Sequence, residues 1–155
     1  IERHGIDLSQ YAVAQARALH ADRIAFEVCD IEKQEPFGGK KFDMATCFNV
    51  LEHFEEPNRV VANIAEALVP EGKFYARFPF RDPIFGRDKY HYYRPLEDWI
   101  DILSTYCDVD WCKHYYTLWG KLSDVRAPAA LANFLVIMLT KRQGAPASPS
   151  RRPQQ

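Results

Sequence analysis

A strand–helix–strand unit in the middle of the chain constrains the fold more than any other feature. Residues 42–48 are almost continuously apolar after Asp43, which is typical of a strand buried on both faces of a parallel sheet. Pro57 stands where a first-turn proline belongs, and residues 70–72 predict the end of the helix. A second strand is predicted at residues 73–78. The apolar positions at helical spacing are Val60, Val61, Ile64, Ala65 and Leu68.

The same alternation of strands and helices occupies the N-terminal part of the chain. Residues 3–7 form a short run that ends in an acid, and Ser9 is a good cap for the helix that would follow. In residues 24–28 apolar side chains alternate with other residues, and the run stops at Asp30. These patterns predict two further strands with a helix between them.

The C-terminal part closes the predicted sheet differently. Pro95 predicts the start of a helix with Leu96, Trp99, Ile100 and Leu103 facing inward. The two following strands, at residues 109–116 and 133–141, have no helix between them that is long enough for a parallel crossover, so we expect them to pair antiparallel. The expected fold is a Rossmann-like three-layer α/β/α sandwich around a mostly parallel sheet with an antiparallel C-terminal edge.

Length and charge limit the classes of function. The 155 residues suit one domain, which we place at residues 1–142, and the Pro- and Ser-rich residues 143–155 predict a disordered tail. A net charge of -1 gives no long-range field toward nucleic acid or an anionic membrane. The apolar stretch at residues 133–140 is too short to span a bilayer. We therefore expect a protein without a membrane span.

The four cysteines indicate a reducing compartment. Cys29 and Cys47 lie in apolar runs and are expected to be small core residues. Cys107 and Cys112 lack the second ligand pair that a zinc site needs. A cytoplasmic location fits this cysteine usage best.

Polar residues follow three of the predicted strands. In a doubly wound sheet, ligands bind beyond the carboxyl ends of the strands. The Asp7 carboxylate is able to accept two hydrogen bonds from the vicinal hydroxyls of a ribose, and Asp30 is able to accept one from an adenine amine while Ile31 packs on the ring. Residues 49–53 follow the third strand. Acids after strands are also common as helix caps, so the combination carries more weight than any one residue.

The segments GIDLS (residues 5–9), VCDIE (28–32) and the block from residue 42 to residue 79 together resemble the class I S-adenosylmethionine-dependent methyltransferases. The similar branch includes enzymes of ubiquinone and menaquinone biosynthesis. The resemblance implies S-adenosylmethionine as cofactor and a small-molecule methyl acceptor. It implies that Asp7 and Leu8 bind the ribose and that Asp30 and Ile31 bind the adenine. Asn49 and Val50 would line the wall beside the methionine part of the cofactor.

Two histidines are candidates for the methyl-acceptor side of the site. A neutral His53 imidazole is able to take the acceptor's proton, and the alternative is a structural histidine that holds the turn. His91 lies in an aromatic and arginine-rich stretch, residues 78–95, that suits a planar or anionic acceptor. Ubiquinone-type relatives carry a Glu-x-x-Glu-His arrangement that resembles a magnesium site, but Asn49 replaces its first acid, so no metal is expected.

The family's opening strand and its glycine-rich, acidic loop have no counterpart in the sequence. We therefore expect the chain to begin inside the fold, without the strand that the family places between those ending at Asp7 and Asn49. Two other readings stay open. One is a non-catalytic remnant that serves as an interaction module. The other is a nicotinamide-dependent oxidoreductase, in which an acid after the second strand also binds ribose.

Overall fold

The strands lie in two separate sheets. The computed structural model describes residues 1–81, 89–118, 121–126, 128 and 131–146. Among these residues, no helix is both long and apolar enough to cross a membrane. In chain order the elements are β1 (His4–Asp7), α1 (Gln10–His20), β2 (Ala25–Val28), β3 (Phe42–Phe48), α2 (Pro57–Ala67), β4 (Leu68–Pro79), α3 (Leu96–Ser104), β5 (Cys107–Leu118), β6 (Lys121–Arg126) and β7 (Phe134–Lys141), with single 3-10 turns at Pro36–Gly39 and Leu51–His53.

The smaller sheet pairs β1 with β2 in parallel, as predicted. Ser9 caps α1, because its side chain accepts a hydrogen bond from the Ala12 amide at 3.2 Å. The glycine at position 5 permits a close approach of the two strands, since a β-carbon there would lie 2.8 Å from the ring of Phe26. The first βαβ-like unit is therefore built by the residues that predicted it.

The larger sheet has the strand order β3-β4-β7-β5-β6. Strands β3 and β4 are parallel, whereas the β4–β7, β7–β5 and β5–β6 pairs are antiparallel. The antiparallel pairing predicted for the last part of the chain is confirmed. Strand β6 was not predicted, because residues 121–126 (KLSDVR) show no period-two alternation of apolar side chains.

The hydrophobic core lies between one face of the larger sheet and helices α2 and α3. Phe78 and Trp99 meet there with ring centroids 4.6 Å apart. The inward positions predicted for α3 are confirmed for Trp99 and Leu103, which are fully buried. The buried side chains of this face are Phe74, Ala76 and Phe78 of β4, and Leu135, Ile137 and Leu139 of β7.

The burial predicted for residues 42–48 is wrong. Only Cys47 of β3 is buried, while Met44 is 49% and Phe48 is 48% exposed. The strand pairs with β4 alone among the described residues, so it forms an edge of the larger sheet. The prediction failed because an apolar strand is buried on both faces only where helices or other elements pack against both of them.

Strand β4 also begins earlier than predicted. It starts at Leu68 immediately after α2, and the predicted turn at residues 70–72 lies within it as an irregularity. Glu71 has a positive φ of 63°, and a β-carbon on Gly72 would lie 2.9 Å from the Val69 carbonyl oxygen. The proline and glycine therefore coincide with an irregularity of the backbone, but it lies within β4 and not between the helix and the strand.

The tail predicted at residues 143–155 lies mostly outside the described residues, which end at Pro146. Just before it, the Arg142 amide donates to the Tyr106 carbonyl oxygen at 3.0 Å, and its guanidinium pairs with Asp108 at 2.8 Å. The contacts of Arg142 are consistent with a domain boundary at this point, which stays a prediction.

We expect the folded protein to lose stability in alkali because the thiols of Cys47 and Cys107 are buried. Both thiols are buried, as is Cys29, which confirms that Cys29 and Cys47 are core residues. Burial raises the pKa of Cys47 to about 12 and that of Cys107 to about 11. The folded protein therefore holds these protons more tightly than the unfolded chain, where a thiol titrates near pH ~8.5. The stabilisation is complete below that pH and is lost as the pH rises toward the folded pKa values.

The measurement is the free energy of unfolding in urea at pH 8 and pH 10, for the wild type and for the Cys47→Ala, Cys107→Ala double variant. We expect the free energy to fall less steeply between the two pH values in the double variant. The Cys112→Ala variant removes a half-buried thiol whose pKa burial raises less, so it should flatten the pH dependence less than the double variant does. Equal slopes in the wild type and the double variant would contradict the buried-thiol account.

Candidate functional site

The carboxyl ends of β1 and β2 lie side by side. Asp7 is paired with Val28 in the parallel register, and the Cys29 amide donates to the Asp7 carbonyl oxygen at 3.0 Å. Asp30 follows directly. The structure thus brings the two predicted acidic residues to one edge of the smaller sheet, where a parallel α/β fold binds ligands.

Asp7 has an exposed carboxylate. Its Oδ1 atom accepts a hydrogen bond from the Ser9 amide at 2.7 Å, which fixes the side chain at the start of α1. Leu8 is exposed between them. A carboxylate has about four acceptor positions, so a ribose hydroxyl pair is able to bind without displacing Ser9.

Asp30 is more enclosed and already has partners. Its Oδ1 accepts from the Glu32 amide at 3.2 Å, and its Oδ2 pairs with Lys33 Nζ at 2.8 Å. The hydrogen bond to Asp30 raises the pKa of Lys33. Ile31 packs against the core, and its carbonyl oxygen accepts from Asn63 Nδ2 at 2.6 Å. An adenine amine would hydrogen-bond to Asp30 either beside Lys33 or in place of it.

Asn49 and Val50 continue the end of β3. The Asn49 amide donates to the Arg77 carbonyl oxygen at 2.8 Å, which adds one bond beyond the β3–β4 register. Asn49 has a positive φ of 53°, a conformation that asparagine adopts more readily than most residues. The chain then turns at Leu51–His53, and Val50 remains partly exposed at the turn.

The two candidate histidines lie next to each other. The rings of His53 and His91 have centroids 4.7 Å apart at an interplanar angle of 65°. His53 Nδ1 lies 3.2 Å from the Tyr90 carbonyl oxygen, and His91 Nδ1 lies 3.0 Å from the Tyr93 hydroxyl. The sequence named both histidines but did not predict their contact, because nothing in their spacing indicates that residues 90–94 fold back onto the turn.

Glu52 is the third side chain of this cluster, and our site prediction missed it. It is fully buried, and one of its carboxylate oxygens and one ring nitrogen of each histidine lie within 4.8 Å of one another. Ligands of a single tetrahedral zinc ion lie about 3.4 Å apart. The 4.8 Å limit includes that spacing, so these three side chains are a candidate site for an ion. The expectation that no metal binds therefore stays a prediction.

The predicted acceptor stretch, residues 78–95, is described only in part, since residues 82–88 lie outside the described residues. The arginines that are described contact aromatic rings of the protein itself. The cation–ring pairs are Arg77 with Phe134 at 5.3 Å, Arg81 with Phe80 at 5.6 Å and Arg94 with Trp99 at 5.9 Å. A role for these arginines toward an anionic acceptor stays a prediction.

Comparisons with known proteins agree with this geometry. Residues 2–76 match the family described as "Methyltransferase domain". A ubiquinone biosynthesis O-methyltransferase from Idiomarina loihiensis is 35% identical over 74 residues, which cover 46% of this chain and 30% of that protein. The chain thus aligns with less than a third of its curated relative.

Solved structures share the fold over most of the chain. The N-methyltransferase NodS from Bradyrhizobium japonicum, in complex with S-adenosyl-L-homocysteine, has a TM-score of 0.67 at 18% identity, and the match covers 92% of this chain and 67% of NodS. The [4+2]-cyclase SpnF has a TM-score of 0.71 at 17% identity, with 93% and 67% covered. At such identities the likeness shows the Rossmann-like α/β fold alone. The sequence match contains both acidic strand ends and most of the β3–α2–β4 unit, and through it residues 2–76 are similar to class I S-adenosylmethionine-dependent methyltransferases.

Proposed function

We propose that the full-length protein transfers a methyl group from S-adenosylmethionine to a small-molecule acceptor. The observation that carries the proposal is the placement of Asp7 and Asp30 at adjoining strand ends within the matched residues. NodS, which shares the fold, was solved with S-adenosyl-L-homocysteine, the product that such a transfer leaves. An acceptor with aromatic or anionic character and a cytoplasmic setting complete the proposal.

Different residues of this chain would bind different parts of the cofactor. When bound, S-adenosylmethionine supplies a methyl group on a positively charged sulfur. The Asp7 carboxylate would accept from the ribose hydroxyls beside Leu8, and Asp30 from the adenine amine beside Ile31. Asn49 and Val50 would border the methionine part. Orientation of both reactants removes much of the entropic barrier to the reaction.

His53 would act on the acceptor. An acceptor hydroxyl or amine that takes the methyl group would have to lose its proton to a base. His53 Nδ1 faces the Tyr90 carbonyl oxygen, which leaves Nε2 to take that proton. His91, beside it, would contact the same acceptor.

A non-catalytic module is the second candidate function. The observation that favours it is the separation of β1 and β3 into two sheets. The fold alone does not decide between the candidates, since the cyclase SpnF has a similar one. A nicotinamide-dependent oxidoreductase has no support from the sequence match.

Methyl transfer is tested with the His53→Ala variant of the full-length protein. We expect the wild type to move a labelled methyl group from S-adenosylmethionine onto a member of a panel of hydroxylated and amino aromatic compounds. His53→Ala should lower turnover by about 10² to 10⁴-fold, because a positioned base contributes that much. Cofactor affinity, measured by titration calorimetry, should stay within a few-fold of the wild type.

His20→Ala is the matched control, since His20 is an exposed histidine at the end of α1. It should leave both turnover and affinity unchanged. If His53→Ala lowered cofactor affinity and melting temperature together, His53 would be a structural residue of the turn. If the wild type transferred no label to any acceptor, the non-catalytic module would be favoured.

A further inference from the structure

Asn63 is a buried polar side chain in the middle of α2. It is 3% exposed and lies among apolar core residues of the same helix, such as Ala62 and Ala65. A buried amide destabilises a fold unless its polar atoms form hydrogen bonds. The hydrogen bonds of Asn63 therefore indicate why a polar residue occupies this position.

Asn63 binds the turn that carries Asp30. This turn, residues 30–34, follows β2, and we call it the Asp30 turn. Asn63 Nδ2 donates to the Ile31 carbonyl oxygen at 2.6 Å and to the Glu32 carbonyl oxygen at 3.4 Å. A carbonyl oxygen only accepts hydrogen bonds, so both contacts require the N–H side of the amide. A side chain that is unable to donate would lose both contacts.

Hydrogen bonds within the Asp30 turn transmit this anchoring to the Asp30 carboxylate. The Lys33 and Gln34 amides both donate to the Asp30 carbonyl oxygen at 2.9 Å. The Glu32 amide donates to Asp30 Oδ1 at 3.2 Å. The carboxylate is therefore fixed relative to the backbone of the turn, and Asn63 fixes that backbone relative to α2.

The contact with α2 connects two parts of the proposed cofactor site. The Asp30 turn follows β2 of the smaller sheet, whereas α2 packs in the core of the larger sheet and begins shortly after Asn49. The described strands of one sheet do not pair with those of the other. The hydrogen bonds of Asn63 therefore join the residues proposed to bind the adenine to the part of the fold that carries Asn49.

We propose that Asn63 is a positioning residue that holds the Asp30 turn so that the Asp30 carboxylate accepts a hydrogen bond from the exocyclic amine of adenine. Asn63 acts through the turn and not by contact with the cofactor. The inference rests on the proposed binding of adenine at Asp30. A fixed acceptor distinguishes adenine, which donates from its amine, from hypoxanthine, which presents a carbonyl oxygen at the same position. Asn63 thereby sets the selectivity for the base.

This selectivity is measured by titration calorimetry of the full-length protein with S-adenosylhomocysteine and with S-inosylhomocysteine, whose base is hypoxanthine. We expect the wild type to bind the adenine compound about a hundredfold more tightly. Asn63→Leu keeps the approximate volume and removes the donor. It should weaken binding of the adenine compound about tenfold and change binding of the hypoxanthine compound by less than about twofold. A loss of stability alone would lower both affinities equally, so their ratio separates positioning from a structural role.

Asn58→Leu is the matched control, because it makes the same substitution at an exposed position of the same helix. It should leave both affinities unchanged. Asp30→Asn replaces the acceptor with an amide that also donates, so it should remove the preference for adenine.

The variants distinguish a failure of the inference from a failure of the proposed function. If Asp30→Asn removes the preference and a folded Asn63→Leu retains it, Asp30 binds the base and the role of Asn63 is overturned. Equal binding of the two compounds by the wild type would overturn both that role and the adenine site. If the selectivity is as expected but no methyl group moves, the proposed methyl transfer fails and the role of Asn63 stands.

Hydrogen exchange of the asparagine side-chain amides in the wild type tests the anchor even if Asn63→Leu fails to fold. In NMR spectra of the protein with ¹⁵N-labelled asparagine, the Asn63 amide should exchange with solvent more slowly than that of Asn58. It should exchange more slowly still when S-adenosylhomocysteine is bound. Equal exchange rates of the two side chains would overturn the proposal.

Discussion

Replacing Asp7 with asparagine in the full-length protein is expected to weaken S-adenosylmethionine binding about a hundredfold and to leave the melting temperature within about 2 °C. The asparagine oxygen keeps the hydrogen bond from the Ser9 amide, so the start of α1 is preserved. The variant loses the negative charge of the carboxylate that would accept hydrogen bonds from the two ribose hydroxyls. Hydrogen bonds to charged groups contribute about 1.5–3 kcal/mol each, and a hundredfold corresponds to about 2.7 kcal/mol.

Asp22→Asn is the matched control, because Asp22 is an exposed aspartate whose carboxylate pairs with Arg23 away from the strand ends. Titration calorimetry of both variants with S-adenosylmethionine measures the effect. Asp22→Asn should bind as the wild type does. Equal affinity of Asp7→Asn and the wild type would remove Asp7 from the site.

The sequence predicted the local elements well because their signals are local. Ser9 caps α1 through its own side chain, and the apolar spacing of Trp99 and Leu103 identifies the buried side of α3. The acidic ends of β1 and β2 follow from the positions where each strand stops. A short-range pattern is sufficient for each of these features.

The features that the sequence did not predict depend on contacts between distant segments. Phe48 is half-exposed because β3 has one neighbour, which its own residues do not reveal. His91 meets His53 because the Tyr92 amide bonds the carbonyl oxygen of Glu52, a backbone contact that side-chain identity does not encode. Sequence patterns report what a segment prefers, whereas these sites depend on what the fold places beside it.

We expect the second large effect because β1 and β3 belong to two separate sheets. Strand β1 pairs with β2 and β3 with β4, and among the described residues neither has a partner on its other side. The open edges of β1 and β3 leave backbone N–H and C=O groups available for pairing with another strand. A strand inserted between β1 and β3 would satisfy them and would supply the loop for the methionine part. We therefore expect the 155-residue chain alone to melt without cooperativity and to self-associate through its open edges.

The most direct test of the account is a calorimetric titration of S-adenosylmethionine into two chains, each accompanied by a thermal melt. One is the 155-residue chain, and the other is lengthened upstream to include a Glu-x-Gly-x-Gly segment where the gene encodes one. We expect the longer chain to bind at micromolar affinity with a cooperative melt, and the shorter one to bind more weakly than about 1 mM. Micromolar binding and a cooperative melt of the 155-residue chain would contradict the claim that these residues carry only part of the cofactor site.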